Sequence, residues 1–503
     1  MLRGLRKAAM VLGIVVVAVI GTIFVVRAIE SLQGPPLSLW HTFVPDEMSV
    51  AAMDAADWDG YRAEEERIFQ SVHENVTAKL PPADHDDHNR YYDGAVVYPG
   101  NFAEDFNRSF ILIPEGPPLG AAVFLHGLTD APYSLRHVAE LYRDRGFVAV
   151  VPRMPGHGTV PGGLTEANWE DWMAATRLAV RTAVARGGAD VPLHVVGYSN
   201  GGALAVKYAL DALADGRLAR ADRLVLFSPM IGVTRFARFA GLAGWPAIFP
   251  PFVKAAWLGI LPEYNPFKYN SFPVHAGRES FLLVDALQTD IEAAVASGRI
   301  ADMPPVLAFQ SAIDFTVSTS AVVTGLFDRL PANGSELVLF DVNRAANVGI
   351  LLRNRATGAV TAILPPAERR FRTTVVGNAT PDSAPVVARS VAPGSTDETV
   401  APLGVDYPRD VYSLSHIAMP FPPWDSLYGS EPEPPDAFGV SLGDLATRGE
   451  NGALIVGLDT LLRNSSNPFY AYIAARIGEV FETPGPDMPE PSPQPAAAAP
   501  QTP

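Results

Sequence analysis

The sequence predicts an α/β fold: a mostly parallel eight-stranded sheet with helices on both faces, a helical cap insertion and an N-terminal transmembrane helix. Three observations carry it. Short apolar runs recur along the chain with helical stretches between most of them. One of these runs leads through a glycine-flanked serine into an alanine-rich helix. Two intervals between strands are far longer than ordinary crossovers, so they hold inserted structure.

The eight runs read as strands are 95–98, 109–113, 121–125, 148–151, 193–196, 224–227, 306–309 and 337–340. Near-continuous hydrophobicity, rather than alternation, marks strands buried on both faces. The first two are joined by a short loop, whereas later ones are separated by helical stretches at 134–145, 169–186 and 202–214. Helical crossovers dictate parallel pairing.

The chain opens with Arg3, Arg6 and Lys7, followed by an uncharged run from Ala8 to Val26 that ends at Arg27. Nineteen such residues just suffice to cross a bilayer as a helix. A cleaved secretory signal has a shorter apolar core and a small-x-small site, and Arg27-Ala28-Ile29-Glu30-Ser31 is a poor one. An uncleaved single-pass anchor is the expectation. The basic residues ahead of it predict an inside N-terminus, with everything after residue 27 on the extracytoplasmic side.

The rest divides as an N-terminal arm (28–90, in which 46–71 reads as helical), a first core part (91–228), a cap (229–303), a second core part (304–482) with an insertion at 343–411, and a Pro/Ala-rich tail (483–503) expected to be disordered. About 78 residues separate Phe227 from Val306, and within them aromatic residues are interspersed with prolines. Trp245, Phe249 and Trp257 are the candidate substrate-binding residues of this cap. The second interval carries a further candidate strand at 373–376.

With 503 residues and 48% hydrophobic content the chain can bury a large core, and its net charge of −16 argues against nucleic acid or anionic lipid surfaces as partners. There is no cysteine, which removes disulfides, thiol catalysis and cysteine metal sites together. Asp84-His85-Asp86-Asp87-His88 lies between Pro81-Pro82 and Asn89 and reads as a solvated loop rather than a metal site. No cofactor and no metal are expected.

The chemistry concentrates at Gly197-Tyr198-Ser199-Asn200-Gly201, which matches the Gly-x-Ser-x-Gly nucleophile elbow. The pattern alone is weak; a strand before it and a helix after it make it strong. Serine at neutral pH needs a base, and the base needs an orienting acid. In hydrolases with this elbow the chain order is Ser, acid, His. Of ten histidines only His275 and His416 follow Ser199, and His275 precedes the last two strands. His416 is therefore the expected base. Asp314, just past the strand 306–309, is the expected acid, with Asp341 its rival after 337–340. The oxyanion hole needs two backbone N–H groups; Asn200 and Leu128, the latter in His126-Gly127-Leu128-Thr129-Asp130, are the expected donors. His126 and His157 are expected to brace loops.

His126-Gly127, Arg153-Met154-Pro155-Gly156-His157-Gly158, Trp169-Glu170-Asp171-Trp172 and Gly197-Tyr198-Ser199-Asn200-Gly201-Gly202 together resemble the α/β-hydrolase superfamily, nearest its monoacylglycerol-lipase and bacterial carboxylesterase branch. The resemblance runs from about 121 to 227 and around Asp314, is weaker near His416, and leaves 28–90, 343–411 and the tail uncovered. It implies a Ser199–Asp314–His416 triad, an acyl-enzyme mechanism, and an ester or lipid-like small molecule as substrate. Two other readings stand beside it. One is a serine peptidase of the proline-iminopeptidase kind, for which Glu263 and Glu279 are available to meet a substrate amine. The other is a catalytically inactive, membrane-tethered binding protein on the same fold.

Overall fold

The structure is a computed structural model that describes residues 2–232, 244–314, 316–346, 358–409, 411–443 and 463–482. The expected disordered tail, residues 233–243 of the expected cap, and residues 347–357 and 410 of the insertion lie outside the described residues.

Ten strands form one sheet: β1 (Phe110–Leu112), β2 (Gly120–Leu125), β3 (Phe147–Val151), β4 (Leu193–Tyr198), β5 (Arg223–Phe227), β6 (Val306–Ser311), β7 (Glu336–Phe340), β8 (Arg372–Asn378), β9 (Pro385–Val391) and β10 (Glu398–Asp406). Their order across the sheet is β1-β3-β2-β4-β5-β6-β7-β8-β9-β10. From β3 to β8 every neighbouring pair is parallel. β1 runs antiparallel to β3, and β9 and β10 fold back antiparallel at the far edge.

The expected count of eight is corrected in two places. Residues 95–98 are not a strand: the Ala95 and Tyr98 amides donate to the Tyr92 and Ala95 carbonyls, a succession of tight turns between Gly94 and Gly100. The interval 343–411 adds three strands, of which the sequence reading anticipated only the first, at 373–376. That first strand extends the sheet because Arg372 to Val376 pair in parallel register with Glu336 to Phe340.

The central strands are buried along their whole length, and successive side chains separate by face. Ala121, Val123, Leu125, Val195 and Leu226 enter one core, together with helices Trp169–Gly187, Asn200–Ala214 and Val274–Ser297. Ala122, Phe124, Val196, Tyr198 and Phe227 enter the other, with helices Arg136–Asp144 and Tyr470–Glu482. Period-two alternation thus divides each strand between two apolar layers. The helix Val274–Ser297, within the interval 229–303, contributes Ala276, Leu283, Leu287 and Ile291 to the first layer.

The N-terminal arm is packed on this core. Its helix Trp58–Asn75 starts on an Asp57 cap and buries Trp58, Tyr61, Ile68 and Val72. The preceding helix Val50–Ala55 buries Met53, which joins the first core layer with Trp58 and Tyr61. Ahead of the arm, the helix Leu2–Gln33 includes 24 residues from Met10 to Gln33 that are long and apolar enough to cross a membrane, by length and composition.

One buried titratable group makes the core acid-sensitive. His194 on β4 sits among Tyr142, Phe147 and Phe481, and burial pushes its pKa down to about 3. In the folded chain it stays neutral down to that value, whereas unfolded it binds a proton below about 6.5. The stability it contributes is therefore present above pH 6.5 and lost as pH falls towards 3, by about 2 kcal/mol at pH 5. His194→Phe is expected to shrink the difference in unfolding free energy between pH 7.5 and pH 5.0 by that amount. It also leaves the Tyr142 hydroxyl without its 3.3 Å partner at every pH, a constant penalty. Urea titrations at both pH values check it; an unchanged difference would discard the argument.

Candidate active site

The sheet changes winding direction at β2 and β4: β3 lies on one side of β2, and β4, β5 and β6 follow on the other. The carboxyl ends of strands flanking such a switch are where open α/β sheets build their sites. Here those ends carry the loop 126–130 after β2 and Ser199 after β4.

Ser199 has φ +55° and ψ −115°, a conformation L residues rarely adopt. It costs about 1–3 kcal/mol and persists only where the surroundings over-determine it. They do so here: the Ser199 amide donates to the Phe227 carbonyl at 2.9 Å, and its own carbonyl accepts from Gly202 and Met230 at 3.0 Å each. Two glycines are obligatory for lack of space. A Cβ on Gly201 would stand 1.9 Å from the Leu125 carbonyl oxygen, and one on Gly197 would stand 2.3 Å from that of Gly201. The small residues of Gly-x-Ser-x-Gly are required because strand and helix backbones meet at that turn.

The structure brings His416 and Asp314 together across 102 residues, with His416 Nδ1 2.8 Å from Asp314 Oδ2. The Asp314 side chain is fully buried and that of His416 nearly so. Gln310 Nε2 donates to Asp314 Oδ2 at 2.9 Å, and the Thr316 and Val317 amides donate to Oδ1 at 2.9 and 3.1 Å. The carboxylate is thereby fixed in place before it meets the imidazole. His416 is held from the other side by the elbow itself: the Tyr198 hydroxyl donates to its carbonyl at 3.3 Å, and the rings lie 5.5 Å apart. Asp341 does not share this environment. Its carboxylate accepts from the Val342 amide at 2.7 Å and from Arg344 at 3.2 Å.

Over the serine lies the loop after β2. A Cβ on Gly127 would be 3.3 Å from Ser199 Cβ, so Gly127 lets the backbone close on Ser199. Thr129 adopts φ +64°, the Asp130 amide closes a turn onto the Gly127 carbonyl, and Thr129 O accepts from the Tyr269 amide at 2.8 Å. Asn200 opens the helix on the other side, where the first amides of a helix are unclaimed by its own hydrogen bonds. His126 braces this loop: its Nε2 accepts from the Met154 amide and its Nδ1 meets the Gly127 carbonyl, each at 3.0 Å. Burial pushes its pKa down to about 3, so it remains neutral. Burial likewise drives the His157 pKa well down, and its Nδ1 meets the Pro155 carbonyl at 3.0 Å.

Three supports carry no local sequence signal. Gln310 is one. Asp130 is another: it is buried beneath the loop with Lys268 3.6 Å away, and burial raises its pKa. The third is an ion cluster from the arm. Fully buried Arg153 donates to both carboxylate oxygens of Glu47 at 2.8 Å and lies 3.3 Å from Glu65, while the Gly156 amide also donates to Glu47. Glu65 in turn accepts from the Ser109 hydroxyl at 2.6 Å. The arm therefore fastens the loop 153–158 beside His126 and His157. Glu47→Gln leaves Arg153 short of a counter-charge in a dry site and is expected to destabilise the fold by about 3 kcal/mol. Thermal unfolding measures it, and a loss under about 1 kcal/mol, within the range of an exposed pair, would show the cluster to be solvated.

The three aromatics named as candidate substrate-binding residues take different places. Trp257 is 4% exposed and meets the His41 ring edge-on at 4.9 Å. Trp245 and Phe249 are half exposed, and Phe249 packs against Phe24 of the N-terminal helix at 6.2 Å. Among the described residues none of the three is recorded in a hydrogen bond or ring contact with Ser199, Asp314 or His416.

Comparison with known proteins supplies the family context. The sequence pattern described as "Serine aminopeptidase, S33" matches residues 116–341. A thermostable monoacylglycerol lipase from Bacillus sp. (strain H-257) is 36% identical over 61 residues, which is 12% of this chain and 24% of that lipase. The chain thus spans about a quarter of that relative's length. Among solved structures, the metagenome-derived lipolytic enzymes LipS and LipT are similar at 21% identity and a TM-score of 0.37, over 47% of this chain and 88% of theirs. The Paleococcus ferrophilus monoacylglycerol lipase is similar at 19% identity and a TM-score of 0.33, over 44% and 83%. With a parallel sheet that reverses its winding at β2 and β4, a strained serine turn between β4 and its helix, and a sequence pattern matched from before β2 to the end of β7, the chain has the α/β-hydrolase fold.

Proposed function

We propose that this chain is a membrane-anchored serine hydrolase that cleaves carboxylic esters with apolar acyl groups through Ser199, His416 and Asp314. The observation that carries the reading is the 2.8 Å bond between His416 and Asp314, tied through Tyr198 to the turn that bears Ser199. In this mechanism Ser199 Oγ attacks the ester carbonyl while His416 Nε2 takes its proton. The Leu128 and Asn200 amides meet the developing oxyanion at the helix N-terminus. His416 then protonates the departing alcohol, leaving an acyl-serine. Water attacks that acyl group, gives its proton to His416, and the acid departs as the proton returns to Ser199. Asp314 orients His416 by accepting from Nδ1–H.

The matched pattern's description raises the peptidase reading, and the cap speaks against it. A peptidase of the proline-iminopeptidase kind needs a free carboxylate for the substrate amine. Glu263 is buried and accepts from the Asn270 and Ser271 amides at 2.9 and 2.7 Å. Glu279 is engaged by Arg278 at 2.6 Å. Both carboxylates are committed to holding the protein together. The similarity to a monoacylglycerol lipase favours ester substrates, and the net charge of −16 disfavours nucleic acid. We assign the Met10–Gln33 helix to a single-pass anchor, with the hydrolase on the extracytoplasmic side as the basic residues ahead of it predict. Rates on p-nitrophenyl butyrate and laurate, set beside aminoacyl and prolyl p-nitroanilides, test the reading. Ester cleavage dominates if it is right; faster anilide cleavage would replace it with the peptidase, and inertness on all with the binding protein.

A further inference from the structure

We infer that the segment 245–257 and the end of the N-terminal helix form one continuous membrane-contacting face, so that the cap is seated in the lipid bilayer itself. The inference rests on the reading of this helix as a membrane anchor whose uncharged run ends at Arg27.

The contacts set the depth. Phe24 meets Phe249 and Phe252 edge-on, with ring centroids 6.2 and 6.3 Å apart. Three residues later Arg27 ends the uncharged run, and its guanidinium donates to the Ala255 carbonyl at 3.2 Å and to that of Trp257. Lys254 reaches across to the Gly34 carbonyl. Three residues of helix rise are about 4.5 Å. If Arg27 lies at the headgroups, Phe24 lies about that far into the hydrocarbon, and whatever packs against Phe24 lies there with it. Phe249 and Phe252 are therefore carried to acyl-chain depth, while Lys254 and Arg27 remain at the polar boundary.

The outer surface of the segment matches that position. Ile248 is 78% exposed, and Trp245, Phe249 and Val253 are about half exposed. Lys254 is the single charge between Trp245 and Trp257, and it is already bonded. Contiguous exposed apolar residues mark an interaction surface, and continuity with a span identifies lipid as what covers this one. A Trp at the rim and a cation at the edge suit an interfacial element that penetrates about 5–10 Å.

Because the chain has no cysteine, single-cysteine reporters need no background removal. Full-length protein would be reconstituted in phosphatidylcholine vesicles with an environment-sensitive fluorophore at Ile248→Cys, Val253→Cys, Val15→Cys in the helix, or Val400→Cys on β10. Quenching by lipids carrying nitroxide on the acyl chain is then read. Labels at 248 and 253 are expected to be quenched, as the deeper one at 15 is, and about fivefold more than the one at 400. If 15 is quenched while 248 and 253 behave like 400, the helix spans and the cap stands in water, which overturns the inference alone. If 248 and 253 are shielded from water without lipid quenching, a second copy of the chain covers the face and the inference also fails. A label at 15 that lipid does not quench removes the membrane reading itself.

Discussion

Ser199→Ala is expected to lower kcat for ester hydrolysis by about four to six orders of magnitude, the loss seen when the nucleophile of a serine triad is removed. The residual rate comes from amides that still stabilise charge on the carbonyl oxygen. The substitution does not relieve the backbone, since alanine keeps the Cβ that makes φ +55° costly. Ser199→Gly separates the two properties. It loses the same activity, because the hydroxyl is gone, yet glycine accepts the left-handed region freely and is expected to gain about 1 kcal/mol of stability. A pair of inactive variants, one with unchanged unfolding temperature and the other raised, would show that the turn is strained in order to present an atom. Retention of rate within tenfold in Ser199→Ala would remove Ser199 as nucleophile. Unaltered labelling of that variant by a fluorophosphonate would do the same.

The two expectations about this site came from different kinds of sequence signal. The strand-turn-helix at Ser199 was legible because it is local: glycines at 197 and 201, an apolar strand before and an alanine-rich helix after are all within about twenty residues. Asp314 and His416 were legible only by chain order and strand counting, and the structure brings these two residues together. The supports were not legible. Glu47 is 106 residues from Arg153 and sits in no recurring pattern, so only the folded arm reveals why a buried arginine is tolerated. The same limit appears in the sheet. Strands buried on both faces declare themselves as apolar runs, as β2, β4 and β6 do. β10 is exposed on nearly every residue and contains Pro402, so neither hydrophobicity nor alternation marks it; its pairing with β9 makes it a strand. Residues 95–98 failed for the opposite reason. Ala-Val-Val-Tyr has strand composition, but glycines at 94 and 100 and three short-range backbone bonds turn it instead.

Asp314→Asn is expected to lower kcat by about four orders of magnitude at neutral pH with little change in KM. The reason is the direction of one hydrogen bond. The carboxylate can only accept, so it selects the His416 tautomer with its proton on Nδ1 and leaves Nε2 free to take the serine proton. An amide in the same place can present N–H to Nδ1, which forces the proton to Nε2 and blocks proton abstraction. Sterically the change is small: the Thr316 and Val317 amides retain an oxygen to donate to when the new carbonyl occupies the Oδ1 position, and Gln310, whose Nε2 donates to Oδ2, can turn its amide over to present Oε1 to the new NH2. Folding should therefore survive while chemistry does not. Asp341→Asn is the matched comparison. Its carboxylate serves Arg344 and the Val342 amide, so its rate is expected to stay within about threefold of the parent, as for a group outside the reacting set. Measured side by side, the two variants decide the acid: a large loss at 314 with none at 341 assigns it, and the reverse would require His416 to turn towards β7 and the 343–411 insertion during catalysis.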